Sequence, residues 1–168
     1  RELAKKAMQF EINLSEEQQG MFYEYMQLLL EWNEKMNLTA ITEPKEVLIK
    51  HFIDSISIKP YIEKGEKVLD VGTGAGFPGI PLKIVLPSNE FILLDSLNKR
   101  TNFLKQVITN LKLEKIEAVH GRAEEFCKVP KKREGYDIVT SRAVAKLNVL
   151  LEYMLPFVKI GGKCICMK

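Results

Sequence analysis

Asp70-Val71-Gly72-Thr73-Gly74-Ala75-Gly76-Phe77-Pro78-Gly79 decides how this chain is read. The apolar run ahead of it, Val68 to Val71, has the length and composition of a buried strand, and a helical pattern opens at Pro78 and stops before Pro87. Glycines at such a junction let the chain turn sharply and lay bare backbone against a ligand beside a helix N-terminus. Pro78 suits the first helical position. Pro81 also falls within the first turn, where amide hydrogens have no intrahelical partner.

Working outward, the same rhythm repeats. Short apolar strands are expected at Phe91 to Asp95, Ile116 to Val119, Asp137 to Thr140 and Lys163 to Met167, with helical stretches between them. Strand and helix in alternation imply βαβ units and a Rossmann-like α/β fold, a mostly parallel sheet with helices on both faces and right-handed crossovers. Ahead of it lies a helical section. Ser15 and Gln18 form a capping box, and Met21, Phe22, Tyr25, Leu28, Leu29, Trp32 and Met36 mark one buried face of a long helix. Asn37 to Thr42 breaks that pattern, and shorter helices are expected at Lys45 to Ile49 and Ser55 to Tyr61. The division is therefore a helical N-terminal extension, residues 1–64, and a Rossmann-like core, residues 65–168.

The chemistry concentrates at strand ends. Gly74, Gly76 and Gly79 satisfy G-x-G-x-x-G, so a nicotinamide or flavin enzyme has to be weighed. Asp70 tips the balance, because an acid two residues before the first of the alternating glycines Gly72, Gly74 and Gly76 suits a ligand with a cationic ammonium group and no pyrophosphate, such as S-adenosyl-L-methionine. Asp95, nineteen residues past Gly76, is placed to accept hydrogen bonds from both ribose hydroxyls, with Ser96 beside it as a further cofactor candidate, although an acid there also serves to cap the next helix, as Ser96 or Asn98 could. Gly121-Arg122-Ala123-Glu124 follows the third strand, where backbone amides and one side chain can read an adenine edge. Glu124 is equally suited to complement a helix dipole. Ser141 and Arg142 follow the fourth strand, near where a reacting centre would lie.

Some chemistries are missing. The Asn/Asp-Pro-Pro-aromatic motif of enzymes that methylate exocyclic amines does not occur after the fourth strand, and no Ser-His-Asp arrangement can be drawn. His51 and His120 read as structural. No catalytic side chain is assigned.

Bulk properties narrow the classes. With 168 residues and 46% hydrophobic composition the chain can bury one compact core. No apolar run approaches the roughly 20 residues of a membrane span. Three cysteines without a CxxC pair, Cys127, Cys164 and Cys166, indicate neither a disulfide framework nor zinc. A soluble, metal-free protein of the reducing cytoplasm fits. The net charge of +3 is a weak pointer to nucleic acid, but basic residues bunch at Lys99 and Arg100, at Lys112 and Lys115, and at Lys128, Lys131, Lys132 and Arg133. Each bunch could meet phosphate or simply be a solvated face. The chain opens on Arg1 and ends on a strand with no following segment to close the sheet edge, so the expectation is a trimmed chain lacking its last strands.

Six stretches in order resemble the glucose-inhibited division protein B family: Asn37-Leu38-Thr39-Ala40-Ile41, His51-Phe52-Ile53-Asp54-Ser55, the glycine loop continuing to Leu82, Asp95-Ser96-Leu97-Asn98-Lys99-Arg100, Gly121-Arg122-Ala123-Glu124 and Ser141-Arg142-Ala143. The resemblance implies a class I S-adenosylmethionine-dependent methyltransferase. It implies cofactor contacts at Gly72, Phe77, Ala123, Glu124 and Arg142, beside Asp70, Gly74, Asp95 and Ser96 from the residues themselves. It further implies transfer to N7 of a guanine in the decoding region of 16S ribosomal RNA. The partner is then that RNA or the small ribosomal subunit, met by a monomer, with Lys99 and Arg100 as candidate phosphate contacts. A small-molecule or protein methyltransferase, a nicotinamide oxidoreductase and a non-catalytic RNA-binding module are the competing readings.

Overall fold

The structure, a computed structural model, describes residues 2–38, 43–128, 135–142, 151–152 and 154–167. Expectations that fall on residues 39–42, 131–133 and 143 lie outside them.

The N-terminal section opens with α1 (Glu2–Met8) and α2 (Glu16–Met36). The capping box starts α2 as its spacing requires: the Ser15 hydroxyl accepts from the Gln18 amide at 3.1 Å and the Gln18 side chain accepts from the Ser15 amide at 2.9 Å. Asn37 ends the helix in the left-handed region, φ 48° and ψ 53°. Of the predicted stripe, Phe22, Tyr25 and Leu29 are fully buried, while Met21, Leu28, Trp32 and Met36 pack partly buried against the same core.

The next stretch departs from expectation. Instead of two separate helices, α3 (Pro44–Glu46) runs directly into a π-helical segment, Val47–Ile53, and on into α4 (Asp54–Ile56). No glycine or proline interrupts residues 45–59, so nothing in the chain stops the helix. The π widening buries Val47, His51, Phe52 and Ile53 together. A separate 3₁₀ turn, Lys59–Tyr61, leads to the sheet.

The sheet is built from β1 (Lys67–Val71), β2 (Glu90–Asp95), β3 (Ile116–His120), β4 (Tyr136–Arg142) and β5 (Val158–Met167), with α5 (Gly79–Val85), α6 (Asn98–Asn110) and α7 (Ala123–Phe126) between them. Among the described residues the order is β3-β2-β1-β4-β5 and every pairing is parallel. The order in which strands are added reverses at β1 and β4, with β2 and β3 laid to one side and β5 to the other, and this opens a crevice at the carboxyl ends of these two parallel strands.

Alternation sorts the strand side chains onto two faces. Val68, Phe91, Leu93, Ala118 and Ile138 join one core with α2, α5 and α6. Leu69, Val71, Ile92, Leu94 and Val139 join Tyr136, Met154 and Phe157 on the other, with Phe126, Cys127, Cys164 and Cys166 partly buried against them. The three cysteines are free thiols, as a role in packing requires.

Two strand boundaries differ from the sequence reading by more than one residue, and one matters for the site. β4 continues through Ser141 and Arg142, so both are strand residues paired with Cys166 and Met167 rather than members of a loop. β5 begins five residues earlier than expected, at Val158, because its register shifts against β4 between Tyr136 and Ile138 and the surplus residues, including Gly161 at φ 86°, are taken up as an irregularity. α5 starts one residue after Pro78, within ordinary boundary scatter.

The extension and sheet meet at the glycine loop. Gly76 has φ 105°, and a Cβ there would lie 2.7 Å from the Tyr25 hydroxyl and 2.8 Å from Ile80 Cδ1. Gly20, by contrast, sits in α2 with nothing within 4 Å of its Cβ position. Gly76→Ala is therefore expected to destabilise the protein by about 3 kcal/mol, through backbone strain and the clash. Gly20→Ala is expected to stabilise it by about 0.5–1 kcal/mol, by helix propensity alone. Urea unfolding of the two variants beside the parent checks both signs.

Candidate functional site

The loop between β1 and α5 is held from beneath by Asp70. Its side chain is completely buried, on the same face of the sheet as Val68. Oδ2 accepts from the Thr73 hydroxyl at 2.8 Å and from the Gly79 amide at 2.9 Å, so one carboxyl oxygen ties the loop's beginning to the first turn of α5. Oδ1 is buried without a hydrogen-bond partner, as is the hydroxyl of Thr140, its register neighbour on β4. Burial raises the Asp70 carboxyl to about 8, against the opposing pull of the Thr73 and Gly79 hydrogen bonds. Above the carboxyl the chain passes through φ 65° at Gly72, 60° at Gly74 and 105° at Gly76, conformations that only glycine adopts freely. The Thr73 amide donates to the Leu94 carbonyl at 3.1 Å and the Gly74 amide to Asp95 Oδ2 at 2.8 Å, which fixes the loop to the end of β2.

A cleft of about 340 Å³ opens beside this loop, at the carboxyl ends of β1, β2 and β3. Gly72, Asp95, Ser96, Ala123 and Glu124 all line it, as does Arg100. Five of the nine predicted cofactor residues, from three separate loops, are thus brought to one cavity of the size that small ligands occupy. Asp95 is 2% exposed, and its Oδ1 accepts from the Leu97 amide at 3.0 Å, with the Arg100 guanidinium 3.7 Å away. Asp95, rather than Ser96 or Asn98, therefore makes the side-chain contact to an amide at the start of α6. An ionised carboxylate has about four acceptor positions, so the two amide contacts leave capacity for hydroxyls of a ligand. Ala123 and Glu124 stand in the first turn of α7, and the Gly121 amide donates to the Asp95 carbonyl at 2.9 Å, coupling the third loop to the second.

The remaining predicted residues lie elsewhere around the loop. Asp70 is under it, and the Gly74 amide is turned onto Asp95. Phe77 is 5% exposed and sits among aromatic rings of the extension: His51 stacks on it at 4.2 Å with an interplanar angle of 7°, Tyr25 lies at 5.7 Å and Phe52 at 6.1 Å. Arg142 covers the same ring, its guanidinium 5.0 Å from the centroid. NH2 of Arg142 donates to His51 Nδ1 at 2.5 Å, NH1 donates to the Lys50 carbonyl at 3.3 Å, and Asp54 lies 3.7 Å from NH1. Lys99 is exposed, with Nζ 3.4 Å from the Met36 carbonyl.

Two contributors are given no role at the site by the sequence reading. Tyr25 reads there only as part of an apolar stripe, yet its hydroxyl donates to the Ala75 carbonyl at 2.5 Å across 50 residues of chain. His51 reads as structural, yet it bridges Phe77 and Arg142. Burial, then the neighbouring Arg142, lowers His51 to about 4, so its ring is neutral near pH 7 and accepts through Nδ1.

Compared with known proteins, the sheet order, glycine loop and cleft define a class I methyltransferase fold. A structure described as a SAM-dependent methyltransferase from Aquifex aeolicus superposes with a TM-score of 0.53 at 23% identity, covering 70% of this chain and 63% of that one. The chain belongs to the GidB family, rRNA small subunit methyltransferase G, whose profile matches residues 18–168. It is 58% identical over 167 residues to the ribosomal RNA small subunit methyltransferase G of Acetivibrio thermocellus, covering 99% of this chain and 69% of the relative. To the protein of the same name from Alkaliphilus oremlandii it is 53% identical over 168 residues, covering 99% and 70%.

The raised Asp70 carboxyl gives a pH signature. A group whose folded value lies near 8 and whose unfolded value is ordinary holds a proton only when folded across that interval, so its contribution to stability falls as pH rises through it. Asp70→Asn keeps an oxygen for Thr73 and Gly79 and has no proton to lose. The stability difference between parent and variant is expected to move against the parent between about pH 5 and about pH 8, by up to about 1.4 kcal/mol per pH unit. Denaturant midpoints across that range check it, and a pH-independent difference would mean that Asp70 is ionised throughout.

Proposed function

We propose that this protein methylates N7 of a guanine in the decoding region of 16S ribosomal RNA, using S-adenosyl-L-methionine and acting as a monomer in the cytoplasm. The observation that carries the cofactor half is the cleft, which collects the glycine backbone at Gly72, the buried Asp95 carboxylate and the Ala123–Glu124 turn around one cavity. Asp70, fully buried beneath the loop and protonated near pH 7, supports this site through the shape it gives the loop rather than as a counter-ion. Among the described residues no helix is long and apolar enough to cross a membrane, and no three His, Cys, Asp or Glu side chains gather as metal ligands.

Residue roles follow from position. Asp95 with Ser96 would hold the ribose, Ala123 and Glu124 the adenine edge, and Gly72 and Gly74 the backbone side of the cofactor. Asp70 acts through the shape of the loop, and Phe77 and Arg142 sit where the loop meets the end of β4. When bound, S-adenosylmethionine supplies an electrophilic methyl group on a sulfonium centre. Guanine N7 carries an in-plane lone pair and no proton, so the protein has no proton to remove. Its task is to align donor and acceptor and to exclude water. That requirement agrees with a site in which Asp95 is held by two amides, and it asks no proton transfer of Glu124, the other carboxyl on the cleft wall. Arg142 stays cationic at neutral pH and is suited to anchor a carboxylate or orient RNA.

Lys99 and Arg100 stand at the first turn of α6, with Arg100 on the cleft wall and Lys99 outside it. We assign them to backbone phosphates of the incoming RNA. In a Lys99→Ala/Arg100→Ala variant the slope of log affinity against log salt should shrink by about 1 to 2, and an unchanged slope would remove the assignment.

The reaction itself is tested with radiolabelled S-adenosylmethionine and small-subunit particles from a strain lacking the endogenous enzyme. Label recovered as 7-methylguanosine is the expected result. Cofactor binding with no label on RNA, under conditions where the Acetivibrio thermocellus relative labels it, would favour a small-molecule or protein acceptor.

A further inference from the structure

Two side chains from the helical section ahead of the sheet reach the transfer machinery without lining the cleft. Tyr25 is fully buried on α2, and its hydroxyl donates to the carbonyl of Ala75 at the crest of the glycine loop. Burial holds that phenol well above its ordinary range, so it remains a donor. Gly76 makes room for the contact, since any Cβ there would press on the same hydroxyl. His51, from the π-helical segment, faces Phe77 with parallel rings and accepts a hydrogen bond from Arg142. A guanidinium has no lone pair to offer, so Nδ1 is the unprotonated nitrogen of the ring. Arg142 has further partners in Asp54 and the Lys50 carbonyl, both from the same helical stretch.

We infer that Tyr25 and His51 are positioning residues for methyl transfer: Tyr25 fixes the Ala75 carbonyl and with it the glycine loop, and His51 aims the Arg142 guanidinium at the end of β4. The helical section is then a working part of the site, bracing it at the Ala75 carbonyl and at the Arg142 guanidinium. The inference rests on the cleft being the S-adenosylmethionine site.

The test uses Tyr25→Phe, His51→Phe and His51→Gln beside the parent, with affinity for S-adenosylhomocysteine by calorimetry and kcat and KM on small-subunit particles. Tyr25→Phe keeps the ring against Phe52 and removes one donor, so affinity for S-adenosylhomocysteine is expected to fall about tenfold. His51→Phe keeps a ring on Phe77 and removes the acceptor. Its kcat is expected to fall about tenfold with affinity for S-adenosylhomocysteine held within about twofold. His51→Gln offers an amide oxygen to Arg142 and should recover kcat to within about threefold of the parent. A role in folding alone would lower stability in all three and leave the cofactor affinity and kcat of the folded protein unchanged. If the parent binds and transfers normally while Tyr25→Phe and His51→Phe match it, or if His51→Gln falls as far as His51→Phe, the positioning roles are overturned. If the parent itself does not bind S-adenosylhomocysteine, the cofactor reading fails first and takes this inference with it.

Discussion

The carboxyl of Asp70, removed from water and gripping Thr73 and Gly79 with a single oxygen, is the constraint from which the site's geometry descends. A buried acid is costly unless hydrogen-bonded, and here its bonds fix both ends of a loop that three glycines bend through positive φ. With the loop set, the Gly74 amide meets Asp95, the Gly121 amide meets the Asp95 carbonyl, and three strand ends converge on one cleft. The same loop turns Phe77 the other way, into the aromatic cluster of the extension. One interaction thus divides the loop into a face open to ligand and a face sealed by packing.

That division explains how one short segment can be both exposed to chemistry and rigid. Loops that bind ligands usually draw on the least stable parts of a fold. Here the ligand-facing backbone is backed by Tyr25, His51, Phe52 and Phe77, rings with centroids 4.2–6.1 Å apart in the pairs that touch Phe77. Such pairs add to the burial of each ring, so the extension lends the loop core-like stability. Alignment, which is all that transfer to a proton-free nitrogen demands, depends on that rigidity.

Much of this was legible in the sequence. The acid-glycine loop, the alternating strands and Asp95 at a strand end are local patterns whose physics acts over a few residues, and the structure places them as their spacing implies. The capping box at Ser15 was readable for the same reason. What escaped was non-local. Tyr25 shows an apolar ring in a stripe, and nothing around it reveals that its hydroxyl meets a carbonyl fifty residues on. The π widening at Val47–Ile53 carries no composition mark, so the sequence reading leaves His51 and Asp54 in a gap between two helices where the structure has one continuous helical stretch. β4 runs on through Arg142 because its pairing with β5 continues there, and pairing partners are not written in either strand alone. Gly76 was readable as a glycine that backbone needs, but only the fold shows that a tyrosine hydroxyl is one reason.

The central claim is that the cleft bounded by Gly72, Asp95 and Ala123 takes S-adenosylmethionine rather than a dinucleotide. Calorimetric titration of the protein with S-adenosylhomocysteine and, separately, with NAD, on the parent and on Asp95→Ala, addresses it most directly. The account predicts one site for S-adenosylhomocysteine, weakened at least about tenfold by loss of the Asp95 carboxylate, and no heat from NAD. Binding of NAD in its place, or S-adenosylhomocysteine affinity indifferent to Asp95, would contradict it.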